Sequence, residues 1–304
     1  MIEIVRNTNF DFMGKRAITF IISGILVILG IIAIYQISVG SANLGIDFAG
    51  GTSVQVKFEK SVSLQEVRDV LKSEGITDTE LQDLPTENKV LIKVKNEEDE
   101  LGGISDSIIA ALQNGFSDMK VTIDSVTAIG PKVGKRLRTN ALWAIIAATI
   151  GILIYVAWRF QFRFSVGATA ATFHDVLAVL GLFNIMGREI NLIVVSALLT
   201  IAGYSLTDTV VVFDRIRENL RMVVRDSSET VINRSINEIL SRTFITSITT
   251  LLAAGALYAF GGEVIHDFAL AMMLGIIIGT YSSVFVASPI VLLWGGKKPL
   301  SLRK

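Results

Sequence analysis

The chain has 304 residues, of which 51% are hydrophobic and only 18% charged, and its mean hydropathy of +0.57 lies outside the range of soluble globular domains. Lys+Arg and Asp+Glu balance at 28 each, so net charge points to no nucleic acid and no acidic partner. There is no cysteine, which excludes disulfides, thiolate metal sites and cysteine nucleophiles, and two histidines leave little for a metal site.

The apolar run from Ala17 to Val39 exceeds the hydrophobic core of a signal peptide and has no convincing small-residue cleavage site after it. It is the first of six predicted spans, near 17–39, 140–158, 164–186, 190–213, 243–261 and 268–294. Each is close to the roughly 20 residues that cross about 30 Å of hydrocarbon. Pro289 lies in the last, and a helix is expected to bend or end there. An even number of spans puts both termini on one side. That side carries Arg6, Lys15, Arg16, Arg159, Arg163, the arginines from Arg215 to Arg242, and Lys297, Lys298, Arg303 and Lys304, whereas the opposite short loops carry only Arg188. Both termini are therefore expected in the cytoplasm. Lys132, Lys135, Arg136 and Arg138 oppose this from the outer side, where a long translocated domain tolerates basic residues.

Residues 40–138 form the one expected soluble domain. TSVQVKF (52–58) alternates like a half-buried strand, and 63–75 reads as a helix with a Ser63/Glu66 capping box that closes at Gly75. TDTELQDL (77–84) and KVLIKVK (89–95) read as strands around a turn at Pro85 and Asn88, followed by a helix near 99–114 and a last strand at 119–129. Strand, helix, strand, strand, helix, strand is the ferredoxin-like order. The fold class is thus an α-helical polytopic membrane protein with six transmembrane helices and one α+β ferredoxin-like extracytoplasmic domain between helices 1 and 2. At the entrance of that domain, GIDFAGG (Gly45, Asp47, Gly50, Gly51) matches neither nucleotide-binding pattern and leads into a strand, so a turn is expected, with Gly50 and Gly51 supplying backbone angles other residues resist.

The spans carry few charges. Asp208, in YSLTDTVVVF, lies about 9 Å inside the cytoplasmic boundary by helical rise, and a charge at depth costs roughly 2.5–3.5 kcal/mol on insertion scales. It reads either as structural glue bonded to a neighbouring helix, helped by Tyr204, Ser205, Thr207 and Thr209, or as a group that loads and releases protons, which we favour. His174 and Asp175 lie near mid-membrane in ATFHDVLAV. They are a proton relay or two satisfied core groups, and as neighbours about 100° apart they are expected to take different partners. Arg242 is the last charge before the fifth span, on the same side as Asp208, and is the candidate counter-ion. Between them, 214–242 has Ile216, Leu220 and Val223/Val224 among arginines, which predicts amphipathic helices at the cytoplasmic interface. Gly275, Gly279, Ser283 and Ala287 recur every four residues as a seam for close helix packing. No nucleophile and base arrangement is visible, so no enzyme is expected.

LGIDFAGGT, ATFHDV, GREINL, GYSLTDTVVVFDRIREN and SRTFITSITTLLAAGAL, in that order, resemble the SecF members of the SecD/SecF protein-export family. More widely, the chain is similar to one half of a resistance-nodulation-division transporter. The resemblance implies SecD as partner, the SecYEG translocon and translocating preproteins as working partners, YajC as a further one, and a multi-pass place in the bacterial inner membrane. It implies no cofactor, with protons as the coupling ion handled by Asp208 in SLTD and answered by Arg242, and it gives His174 and Asp175 as a recurring pair. The expected layout is 1–39 for the N-terminus and first helix, 40–138 for the outer domain, 139–296 for helices 2–6 and 297–304 for a cytoplasmic tail. The competing readings are a small-molecule exporter of the same superfamily and a scaffold that only stabilises SecD.

Overall fold

Two units divide the chain. One is built of Leu44–Trp143 with Glu189–Leu192, and the other of the described residues up to Asn43, Ala144–Arg188 and those from Ile193 on. The computed structural model describes residues 8–77, 79–84, 88–95, 103–222 and 226–294. The predicted turn at Pro85, the first residues of the helix near 99–114, Val223 and Val224, Arg6 and the tail from 297 lie outside them.

In the first unit, a short helix α2 (Ile46–Ala49) leads into β1 (Gly51–Phe58), α3 (Leu64–Ser73), β2 (Thr79–Leu84), β3 (Lys89–Val94), α4 (Gly103–Gly115) and β4 (Val121–Ile129). The sheet order is β2-β3-β1-β4, antiparallel throughout, which is the ferredoxin-like arrangement. Register follows from the alternation read in the sequence: Val54 lies opposite Ile92 and Val126, so Val54, Val56, Phe58, Val90 and Ile92 share one face. That face packs on Val67, Leu71, Ile108 and Leu112 of the two helices. Each such buried side chain is worth about 1.5–3 kcal/mol. α3 starts where the capping box predicts: the Glu66 N–H donates to Ser63 Oγ at 3.2 Å and the Ser63 N–H donates to Glu66 Oε2 at 3.1 Å.

The second unit contributes most of the helices long and apolar enough to cross a membrane, six in all among the described residues. They are α1 (Arg16–Val39), α5 (Pro131–Arg159), α6 (Phe162–Ile185), α7 (Leu192–Met222), α8 (Ser228–Phe260) and α9 (Glu263–Ser282) with its continuation. α6, α7 and α9 are mostly buried, whereas α1, α5 and α8 keep much of their apolar surface outward. α1 and α6 cross where only glycine fits, since a Cβ on Gly30 or Gly181 would run into the other helix's backbone. The seam on α9 works likewise: a Cβ on Gly275 would collide with Ile201, and one on Gly279 would lie 3.1 Å from Ser205 Cβ.

Three boundaries differ from the sequence reading. α5 begins at Pro131, well before the predicted 140, because proline suits a first helical turn; the basic cluster at 132–138 belongs to this helix. The stretch 214–242 is not a loop with separate interfacial helices: α7 runs on to Met222 and α8 starts at Ser228 behind a Ser227 cap. Ile216 and Leu220 bury against Val231, Ile232 and Ile236, and polar rungs join the hairpin, with Asn219 Nδ2 3.0 Å from Ser235 Oγ and Arg215 Nε 2.7 Å from Glu238 Oε2. Pro289 neither bends nor ends its helix alone. A π-helical turn, Ser283–Ala287, precedes it, and α10 (Ser288–Trp294) continues, with Ser288 Oγ donating to the Ser283 carbonyl at 3.0 Å.

The N-terminal segment also has a fixed place that composition did not reveal. Asn233 and Asn237, one turn apart on α8, bond its backbone: the Phe12 and Met13 N–H groups donate to Asn233 Oδ1 at 3.0 Å, and the Phe10 N–H to Asn237 Oδ1 at 3.0 Å. Asp11 accepts from the Gly14 N–H at 2.9 Å and from Asn233 at 2.8 Å, which holds its carboxyl below the usual range.

Candidate functional site

α7 carries Asp208, a carboxylate only 8% exposed. It accepts no hydrogen bond among the described residues, and its Oδ2 is buried without a partner. The four polar neighbours expected to help it do otherwise. Thr207 Oγ1 donates to its own helix at Gly203 O, Ser205 bonds elsewhere, and Tyr204 OH and Thr209 Oγ1 are themselves buried without partners. Asp208 faces a cavity of about 130 Å³ lined by Tyr204, Thr207, Val211, Arg242, Thr243 and Thr246. Arg242 of α8 thus lies on the same cavity, but no ion pair within 4.0 Å joins it to Asp208 among the described residues. Sequence reasoning identified both residues; it could not see that a space separates them.

Asp175 of α6 is the opposite case. It is 0% exposed and fully engaged: Oδ1 lies 2.8 Å from His174 Nδ1, and Oδ2 accepts from Ser282 Oγ at 2.7 Å and from Ser205 Oγ. The expectation that His174 and Asp175 take different partners is corrected in part. Their Cα–Cβ vectors diverge, yet both side chains are long enough to turn toward each other, while Asp175 also reaches two further helices. His174, 3% exposed, leaves Nε2 buried without a partner, and its ring lies 6.4 Å from that of Tyr281. Tyr281 OH in turn donates to the Thr19 carbonyl at 2.8 Å and accepts from Ser23 Oγ at 3.1 Å. Tyr281 thus joins α9 to α1, and Asp175 joins α6 to α9 and to α7 at Ser205, one helical turn from Asp208. Sequence reasoning read Ser205 as a neighbour of Asp208 rather than of Asp175, and Ser282 gave no signal beyond its place beside the small-residue seam.

The GIDFAGG segment is built into the first unit. Leu44 and Ile190 form a parallel β-bridge, and the Gly45 N–H donates to the Ile190 carbonyl at 3.0 Å. Asp47 Oδ2 accepts from the N–H of Leu192, the first residue of α7, at 3.1 Å. Nearby, Lys93 of β3 is ion-paired with the buried Glu189. A Cβ on Gly45 would lie 2.8 Å from both Asn191 Cβ and Glu189 Oε1. Gly50 and Gly51 have φ of +85° and +149°, conformations that favour glycine.

The model described as Protein export membrane protein SecD/SecF, C-terminal, matches residues 108–297, and that of the SecD/SecF GG motif matches 43–62. The chain belongs to the SecD/SecF family. Among curated relatives, a protein translocase subunit SecF from Thermodesulfovibrio yellowstonii is 61% identical over 97% of this chain and 98% of its own length. Another from Calditerrivibrio nitroreducens is 42% identical over 96% of each. The crystal structure of SecDF from Thermus thermophilus matches with a TM-score of 0.81 at 35% identity, over 96% of this chain and 39% of that one. SecDF in a super-membrane-facing form matches with a TM-score of 0.70 at 36% identity. The chain spans nearly the whole of its SecF relatives and about two fifths of the SecDF chains. The GG-motif match contains the Gly45–Gly51 segment, and the longer match contains His174, Asp175, Asp208 and Arg242.

Proposed function

We propose that this chain is the SecF half of a proton-driven export machine. It pairs with SecD, lies in the bacterial inner membrane with both termini cytoplasmic, and helps draw preproteins outward from the SecYEG channel, with YajC as an accessory partner. No cofactor enters; the coupling ion is the proton. The observation that carries this reading is the state of Asp208, a buried carboxylate without a hydrogen bond, on a cavity that Arg242 also lines. A group held only as glue would spend its acceptors on neighbouring helices, as Asp175 does. Tyr204, Thr243 and Arg242 on the cavity wall offer a water molecule polar partners beside the carboxylate. Charged, Asp208 attracts Arg242 across the cavity; neutral, it releases it. The two protonation states therefore favour different distances between α7 and α8. Carrying one charge through 100 mV supplies about 2.3 kcal/mol, enough to bias such an equilibrium.

The test is Asp208→Asn in cells that also make SecD, with export and the amounts of both proteins measured. Asparagine keeps the shape and cannot ionise. The expected outcome is a normal complex with gradient-dependent export reduced at least about tenfold. Normal export would sink the proton reading, and loss of the complex itself would favour the scaffold.

A further inference from the structure

We infer that the GG-motif segment is a clamp that fixes the loop 189–192, and with it the first N–H of α7, to the β-sheet, with Asp47 as its positioning residue. Three contacts converge on the short loop 189–192. The Leu44–Ile190 bridge and the Gly45 N–H fix its backbone, the Lys93 ammonium holds Glu189 from β3, and the Asp47 carboxylate takes the first N–H of α7. A helix's first N–H groups have no partner within the helix, and a carboxylate there is favoured by the aligned peptide dipoles. Here the first of these N–H groups is taken by a segment 145 positions earlier in the chain. It therefore ties α7 to something outside itself. The same segment grips the start of α5. A Cβ on Gly50 would lie 2.9 Å from Pro131 Cα, and one on Gly134 would lie 3.0 Å from the Phe48 carbonyl oxygen. Two helices that continue into the membrane unit thus begin against one seven-residue stretch, and α7 is the helix that carries Asp208.

In this inference, which rests on the proposed function for its role in export, the clamp sets where α7, the helix that carries Asp208, begins.

The experiment uses the full chain produced with SecD. Asp47→Ala removes the acceptor, and Asp47→Asn keeps an oxygen at the same reach. Amide exchange at Leu192, read with no proton gradient present, should rise at least about tenfold in the alanine variant and stay near that of the wild type in the asparagine variant. Export should fall about threefold or more in the first at unchanged protein levels, and recover in the second. Unchanged exchange or normal export in Asp47→Ala overturns the clamp. Should Asp47→Ala reach the membrane in reduced amount, the pair Leu44→Cys and Ile190→Cys decides, in a chain with no other cysteine. Export that survives oxidation of this bridge supports a clamp closed throughout the cycle, and export lost on oxidation and regained on reduction overturns it. Because exchange is measured without a gradient, failure of the proton reading, seen as normal export in Asp208→Asn, leaves the clamp standing.

Discussion

Asp175 and Asp208 are the same residue type, buried in the same helical unit, and Ser205 links the first to the helix that carries the second. The Asp175 region has acceptors and donors matched from three helices, so its carboxylate is fixed in place. The Asp208 region has surplus: a carboxylate oxygen, the Tyr204 and Thr243 hydroxyls and a guanidinium face one small cavity without bonding each other. The two carboxylates therefore differ not in burial, which they share, but in whether the neighbours have already committed their lone pairs. The engaged cluster holds α6, α7 and α9 together.

Breaking this contrast should give graded effects. Asp208→Asn should cost export at least about tenfold and leave the complex intact. Arg242→Ala should impair export several-fold at normal protein levels, and unimpaired export would remove Arg242 from the mechanism. Asp175→Ala should do the reverse. It strands Ser205 and the His174 Nδ1, each at about 1–3 kcal/mol for an unsatisfied buried group, while Ser282 keeps the Gly279 carbonyl at 3.2 Å. The protein level and the thermal midpoint of the extracted protein should fall together, and a variant of normal stability would erase the distinction drawn here. Ser282→Ala removes one donor of several and should lower stability by about 1–2 kcal/mol, with export in proportion to the protein remaining. The smallest effect is expected at Asp11. Its folded carboxyl titrates below the ordinary 3.8, so the stability it lends the N-terminal segment is present above that value and lost only as pH falls through the lower folded one. Docking of residues 10–13 on Asn233 and Asn237, followed by amide exchange, should therefore be unchanged between about pH 5 and 8.

Much of the architecture was legible because its signals are local and long. A run of about 20 apolar residues fits few places except the interior of a bilayer, and the switches between two-residue and helical periods in 52–129 gave the ferredoxin-like order and the Ser63/Glu66 cap. What escaped is what depends on residues far apart. Val231, Ile232 and Ile236 look like interfacial residues until α7 is seen to continue beside them. The docking of the N-terminus was hidden in the spacing of Asn233 and Asn237, four apart on a polar face, a pattern that becomes informative once it is known that α8 extends that far. At the site, the residue types pointed to Asp208, Arg242, His174 and Asp175 as the polar groups of the spans. Their division into an engaged and an unengaged carboxylate depended on Ser205 turning toward α6, and nothing in the order of residues fixes that choice.

The π-helical turn at Ser283–Ala287 has a consequence for how the chain tolerates changes in length. A turn of this kind holds one residue more than an α-turn, so everything after it is rotated by about 100° relative to an uninterrupted helix. α10 depends on that rotation, since Val291 Cγ2 lies where it would be 3.0 Å from a Cβ on Gly167 of α6. Deleting a single residue from 283–287 would let the turn close as an α-turn and leave Val291 on α6, because the missing residue cancels the extra one. A one-residue deletion elsewhere in α9 should therefore do more harm than one inside the π-turn, because only the former turns α10 by about 100°.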